Sequence, residues 1–135
     1  MDGVILTPLK QILHPKGDIY HAIKKSDDGY SEFGEAYFST VHKGDKKGWK
    51  KHKEMILNII VPVGMIEFII YNEEDKEFFT TILSTENYQR LTVKAGLWMA
   101  FRGISSVNLL LNIASLEHDP AEAVTLDIEE IRYEW

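Results

Sequence analysis

The stretch Met55-Ile56-Leu57-Asn58-Ile59-Ile60-Val61-Pro62-Val63-Gly64-Met65-Ile66-Glu67-Phe68-Ile69-Ile70-Tyr71 decides the fold. It is the longest apolar stretch of the chain, but Asn58, Pro62, Gly64 and Glu67 interrupt it, so it is neither long nor clean enough to cross a bilayer as a helix. Its β-branched residues fall into two short runs, Ile56 to Val63 and Met65 to Tyr71, which meet at Gly64 in a tight hairpin or a bend between strands. Apolar residues at successive positions mean that both strand faces are covered, or that the second face lines a pocket.

Outward from this centre the same texture repeats. Val4-Ile5-Leu6, Ile19 to Ile23, Gly34 to Val41, Phe78 to Leu83, Leu91-Thr92-Val93, Val107 to Ala114, Val124-Thr125-Leu126 and Ile131 to Trp135 are short strand-forming runs. Turn residues separate them, at His14 to Asp18, Lys43-Gly44-Asp45, Asn72 to Lys76 and Ala95-Gly96. Helical candidates are confined to Ser84 to Arg90 and Pro120 to Ala123. Many short strands at near-regular spacing predict an all-β sandwich or barrel. A length of 135 residues suits one domain, 1–135, around one core.

The formal net charge is −6, and the basic residues gather between Lys43 and Lys53 rather than along a face. That distribution argues against nucleic acid. It suits either a solvated loop or a patch for a small anion such as a pyrophosphate. The chain has no cysteine, which removes disulfides, thiolate nucleophiles and thiolate metal sites. The N-terminus carries no charged start followed by a long apolar run. The expectation is a cytoplasmic protein that does not enter a membrane.

The chemistry gathers in Phe33-Gly34-Glu35-Ala36-Tyr37-Phe38-Ser39-Thr40-Val41-His42-Lys43-Gly44-Asp45-Lys46-Lys47-Gly48-Trp49-Lys50-Lys51-His52-Lys53-Glu54. On a strand, Glu35, Tyr37 and Ser39 share one face, and so do Lys50, His52 and Glu54 on the next. If both faces point into a barrel, its lumen holds a phenol, an imidazole, an amine and carboxylates, a set able to move a proton beside a ketone. Each residue also has an ordinary structural reading. His52 can be a surface histidine in a lysine run, Tyr37 a core tyrosine, and Trp49, Trp98 and Trp135 packing residues or a base-stacking platform. His42, His52 and Glu54 do not have convincing metal-ligand spacing, so no metal and no cofactor are expected.

These residues resemble the dTDP-4-dehydrorhamnose 3,5-epimerase family, which carries a Phe-x-Gln-x-Asn-x-Ser strand followed at a fixed interval by Arg-Gly-x-His. Here Phe33, Glu35, Tyr37 and Ser39 are followed at that interval by Lys47-Gly48-Trp49-Lys50. Lys16-Gly17, Gly64 to Tyr71, Lys94 to Phe101 and Leu126-Asp127 through Trp135 extend the resemblance over most of the chain. The stretch is also similar to the sugar-nucleotide 3,4-ketoisomerases, whose Arg-Gly-x-His-x-His-Lys keeps its second histidine here as His52 and its lysine as Lys53, with Tyr37 at the tyrosine spacing.

The resemblance implies a cupin-type double-stranded β-helix, that is, a jelly-roll barrel. It implies an isomerase acting on a dTDP-linked 4-keto-6-deoxyhexose by proton abstraction next to the C4 ketone, in deoxysugar and surface polysaccharide biosynthesis, and working as a homodimer. The family's histidine base aligns with Lys50, a later histidine with Met99, and its acid tyrosine with the region of Asn112. Two assignments follow. Lys50 is itself the base, or His52 and Tyr37 form an acid–base pair, which is favoured because histidine works near neutral pH with little tuning. Asp127 is the candidate to orient the histidine. Lys16 and Lys47 are candidates for the pyrophosphate, Trp49 for the base, and Glu35, Ser39 and Asn112 for substrate binding. The alternative of another class is a cupin that binds a sugar nucleotide or carbohydrate without turnover.

Overall fold

Alternating short apolar runs and turn residues become twelve strands in the computed structural model, which describes residues 1–135. They are β1 (Val4–Pro8), β2 (Gln11–Ile12), β3 (Ile19–Tyr20), β4 (Glu35–Thr40), β5 (Lys46–His52) and β6 (Leu57–Val63), then β7 (Met65–Asn72), β8 (Glu77–Ser84), β9 (Gln89–Val93), β10 (Trp98–Gly103), β11 (Leu109–Ala114) and β12 (Ala123–Thr125). One five-stranded sheet runs β1-β9-β6-β11-β4 and a second runs β12-β5-β10-β7-β8, while β2 and β3 form a separate hairpin. All the strand pairings are antiparallel. This is the expected all-β jelly-roll arrangement.

Gly64 is the bend, not a hairpin turn: β6 lies in the first sheet and β7 in the second, so the chain changes sheets at this residue. Its φ of +82° is in the left-handed region, and a Cβ there would collide with the Val107 carbonyl oxygen, so glycine is required on two counts. The two strands explain their own apolar density. Ile66, Phe68 and Ile70 of β7 point between the sheets, together with Leu57, Ile59 and Val61 of β6. Ile69 points the other way, into a second cluster with Trp49, Trp98, Ala100 and Ile131, covered by Tyr133 and Trp135. Each such side chain contributes about 1.5–3 kcal/mol by leaving water.

Two expected elements differ. Ser84 to Arg90 is not helical, because Ser84 closes β8 and its Oγ accepts from the N–H groups of Glu86 and Asn87, at 3.2 Å each, turning the chain straight into β9. Ile131 to Trp135 is not a strand but an irregular tail laid over the second sheet. The short helical turn at Pro120–Glu122 does form, as a 3-10 turn capped by Asp119, whose carboxylate accepts from Ala121 N at 3.0 Å. No helix is long and apolar enough to cross a membrane.

Candidate active site

A cavity of about 220 Å³ opens between the two sheets. β4 supplies Tyr37 and Ser39, β5 supplies Lys47, Gly48, Lys50 and His52, and β11 supplies Asn112. Its floor is apolar, with Leu57, Ile59, Met99, Phe101 and Leu110 among the lining. A space of this size falls below that of sites that engulf a whole drug-sized ligand. A larger ligand would extend past its mouth.

Simple alternation along β5 would send Lys50 and His52 inward and Lys47 outward. The strand avoids this with a bulge. Lys47 pairs with Phe101 and Lys50 with Met99, so β5 spends three steps where β10 spends two. All three side chains therefore line the same cavity. Lys47 Nζ donates to Ser39 Oγ at 3.2 Å, bridging β5 to β4 across the cavity. Of the other lysines on β5, Lys46 lies over the Trp135 ring at 5.2 Å, and Lys51 pairs with Glu73 on the outer face. Lys50 alone of the β5 lysines has no hydrogen bond, ion pair or aromatic ring as a partner for its amine.

His52 is the most constrained ring in the cavity. Its Nδ1 lies 2.6 Å from Glu122 Oε1, and both side chains are 11 % exposed. Glu122 reaches it because β12 begins at the next residue and pairs Ala123 with His52. The other carboxylate oxygen accepts from the backbone N–H groups of Glu54 (2.9 Å) and Met55 (2.8 Å). Burial pushes the Glu122 carboxyl up, but the His52 bond and these two N–H bonds together outweigh it and hold the group at about 2. An ionised carboxylate only accepts, so Nδ1 carries the proton and Nε2 is the nitrogen left for a ligand in the cavity.

Opposite His52, Tyr37 and Asn112 are direct cross-strand partners, and the Asn112 amide donates to the Tyr37 hydroxyl at 2.9 Å. Asn112 is 2 % exposed and its Oδ1 has no partner in the protein. Tyr37 is 45 % exposed and stands at the entrance. The arrangement thus offers a base with its tautomer fixed, a phenol whose oxygen receives a hydrogen bond, and two lysines, over an apolar floor. No group of three His, Asp or Glu side chains is placed to hold a metal.

Six of the ten residues singled out from sequence meet here: Tyr37, Ser39, Lys47, Lys50, His52 and Asn112. Four do not. Trp49 is 1 % exposed, donates from Nε1 to the Ile128 carbonyl at 3.1 Å and packs behind β5, so it cannot stack on a ligand in this cavity. Asp127 caps the last 3-10 turn, where its N–H donates to Glu130 at 2.7 Å, and Glu122 takes the place beside the histidine that was assigned to it. Lys16 is exposed in the turn between β2 and β3, and Glu35 sits at the start of β4, outside the cavity lining. Glu122 escaped the sequence reading because its contact spans seventy residues. The signal that pointed near it was the Asp119-Pro120 turn start.

No family model and no curated protein sequence matches the chain. Solved structures do. A dTDP sugar isomerase from Desulfovibrio desulfuricans G20 superposes with a TM-score of 0.94 at 27 % identity, covering 99 % of this chain and 91 % of that one. The sugar 3,4-ketoisomerase QdtA from Thermoanaerobacterium thermosaccharolyticum, solved with TDP, gives 0.82 at 20 % identity, covering 97 % and 93 %. The 3,5-epimerase RmlC from Legionella pneumophila Philadelphia 1, solved with dTDP-4-keto-L-rhamnose, gives 0.86 at 15 % identity, covering 100 % and 79 %. The two groups that the sequence resembles are therefore the ones whose fold this chain has.

Proposed function

We propose that this chain is a dTDP-sugar isomerase or epimerase that moves a proton next to the C4 ketone of a thymidine-diphosphate-linked 4-keto-6-deoxyhexose. The observation that carries this is His52, held from behind by Glu122 and facing the same cavity as Tyr37. The likeness to a dTDP sugar isomerase over nearly the full length of both chains supports it. A ketone makes the neighbouring C–H acidic. His52 Nε2 takes that proton while Glu122 stabilises the resulting imidazolium, in the way a buried carboxylate orients any catalytic histidine. Tyr37 donates to the developing oxyanion and Asn112 holds the phenol in place. Lys47 faces the first phosphate at the cavity mouth as a point charge. A binding protein that had lost turnover would have no need of a carboxylate held ionised behind its histidine, so the catalytic reading is preferred.

In this reading residues 1–135 act as one unit around the shared core, in the cytoplasm. Two copies associate through the exposed apolar side chains of the β2–β3 hairpin, Leu13 and Ile19, and of the free edge strand β4, Phe38. The test is incubation with dTDP-4-keto-6-deoxyglucose in heavy water, followed by NMR. Deuterium should enter at C3 or C5 at an enzyme-dependent rate. Binding without exchange would refute the catalytic reading.

A further inference from the structure

Lys50 occupies an unusual position. It is the one lysine of β5 without a partner, it lines the cavity beside His52, and no carboxylate lines that cavity to pair with an ammonium. The charged or titratable groups facing the same space are Lys47, His52 and Tyr37. Lys50 and His52 are two residues apart on one strand face, so their Cβ atoms are about 6–7 Å apart. The four-carbon stem of lysine spans that distance. A primary amine and an imidazole base can then address neighbouring atoms of one ligand.

Resting on the keto-sugar reading above, we propose that Lys50 is a covalent catalyst, condensing with the substrate ketone to form an iminium ion from which His52 removes the adjacent proton. The steps balance without any oxidant or further reactant. The unprotonated amine attacks C4, and the carbonyl π pair moves to oxygen, which takes a proton from Tyr37. The nitrogen passes a proton to the Tyr37 phenolate, which hands it to the carbinolamine hydroxyl; that oxygen leaves as water, and the nitrogen lone pair forms a C4–N double bond with positive charge on nitrogen. His52 Nε2 removes the proton from the adjacent carbon, that C–H pair becomes a C–C double bond, and the iminium π pair settles on nitrogen as a neutral enamine. Reprotonation at carbon regenerates the iminium, and water releases the sugar. A cationic nitrogen is a stronger electron sink than a neutral ketone oxygen, and a lysine freed from ion pairing is the side chain suited to form one.

The test is reduction of an enzyme–dTDP-4-keto-6-deoxyglucose mixture with cyanoborohydride, followed by peptide mass mapping. Condensation loses water and reduction adds two hydrogens, so the expected adduct is the substrate's mass less one oxygen, on Lys50. In parallel, ketone oxygen exchange with ¹⁸O-water and C–H exchange with heavy water are followed for the wild type and for Lys50→Arg. Arginine keeps the positive charge but cannot form the imine, so the adduct and the enzyme-dependent ¹⁸O exchange should both be lost. Carbon-bound hydrogen exchange in the wild type with neither adduct nor ¹⁸O exchange would overturn the iminium and leave the proposed function standing. An adduct on Lys47 or a surface lysine would also overturn it. Absence of both exchange reactions and of the adduct would remove the proposed function together with it. The wild-type mapping is decisive even if the variant fails to fold.

Discussion

His52 Nδ1 and Glu122 Oε1 stand 2.6 Å apart, joining the end of β5 to the residue that precedes β12. The carboxylate is gripped from behind by two backbone N–H groups, so it sets the ring rather than follows it.

Replacing Glu122 with Gln keeps the shape but removes the charge and leaves an amide that can present either donor or acceptor to Nδ1. We expect a loss in kcat of about 10–10⁴-fold, the range spanned by loss of an orienting carboxylate at other histidine sites, with KM changed far less. A merely structural role would not move the ring tautomer. Nitrogen-15 shifts of His52 should therefore move from the Nδ1–H toward the Nε2–H form, and an unchanged tautomer would refute the orienting role.

Acid sensitivity follows from the same carboxylate. Its folded-state value of about 2 is depressed from the ordinary 4.5, so its contribution is complete above 4.5 and disappears as pH falls from there through about 2. The shift corresponds to at most about 3 kcal/mol, reduced by solvent screening at the rim. Denaturant titrations between pH 6 and 2 should show this loss in the wild type. Glu122→Gln should be less stable at pH 6 and lose less on acidification, and parallel curves for the two proteins would contradict the assignment.

Tyr37→Phe removes the hydroxyl that accepts from Asn112 and leaves that buried amide with no partner on either atom. The expected stability loss is about 1–3 kcal/mol. If the phenol is the acid, kcat falls by about 10²–10⁴-fold while His52 remains able to take a proton. Turnover within a few-fold of wild type would exclude Tyr37 as the acid.

Trp49 distinguishes packing from recognition. Trp49→Phe keeps the outer cluster and loses the bond to the Ile128 carbonyl, at a cost of about 1 kcal/mol, whereas Trp49→Ala should cost about 3–5 kcal/mol. Calorimetry with dTDP should give the same affinity for Trp49→Phe as for wild type. A clear weakening would restore Trp49 to the binding site.

The sequence made the β architecture legible because the information is local. The runs on either side of Gly64, the strand from Gly34 to Val41 and the run from Val107 to Ala114 declare themselves through side-chain type and turn residues. Tyr37, Ser39 and His52 were legible for the same reason, since alternation puts them on inward faces. The misreadings have other causes. Trp49 was read by residue type although alternation puts it on the face opposite Lys50 and His52, while Lys47 reaches the cavity only through a bulge that periodicity cannot reveal. Asp127 and Glu122 are both acidic residues near a short turn, and only the pairing of β12 with β5 decides which one meets the imidazole. Lys16 reads as a ligand by position in the chain, yet it lies exposed in the turn of a hairpin that pairs with neither main sheet.

The bulge in β5 also bears on any attempt to transplant this set of groups. Residues 47–52 grafted onto a flat strand of another jelly roll would deliver the second amine and the imidazole correctly but would turn the first lysine to solvent. The three-against-two pairing with the neighbouring strand would have to travel with them, and Gly48 within the segment is needed wherever a tail comes as close as Leu126 and Ile128 do here, which leaves little room for a side chain at that position. Strand length, and not residue identity alone, is thus part of the recipe.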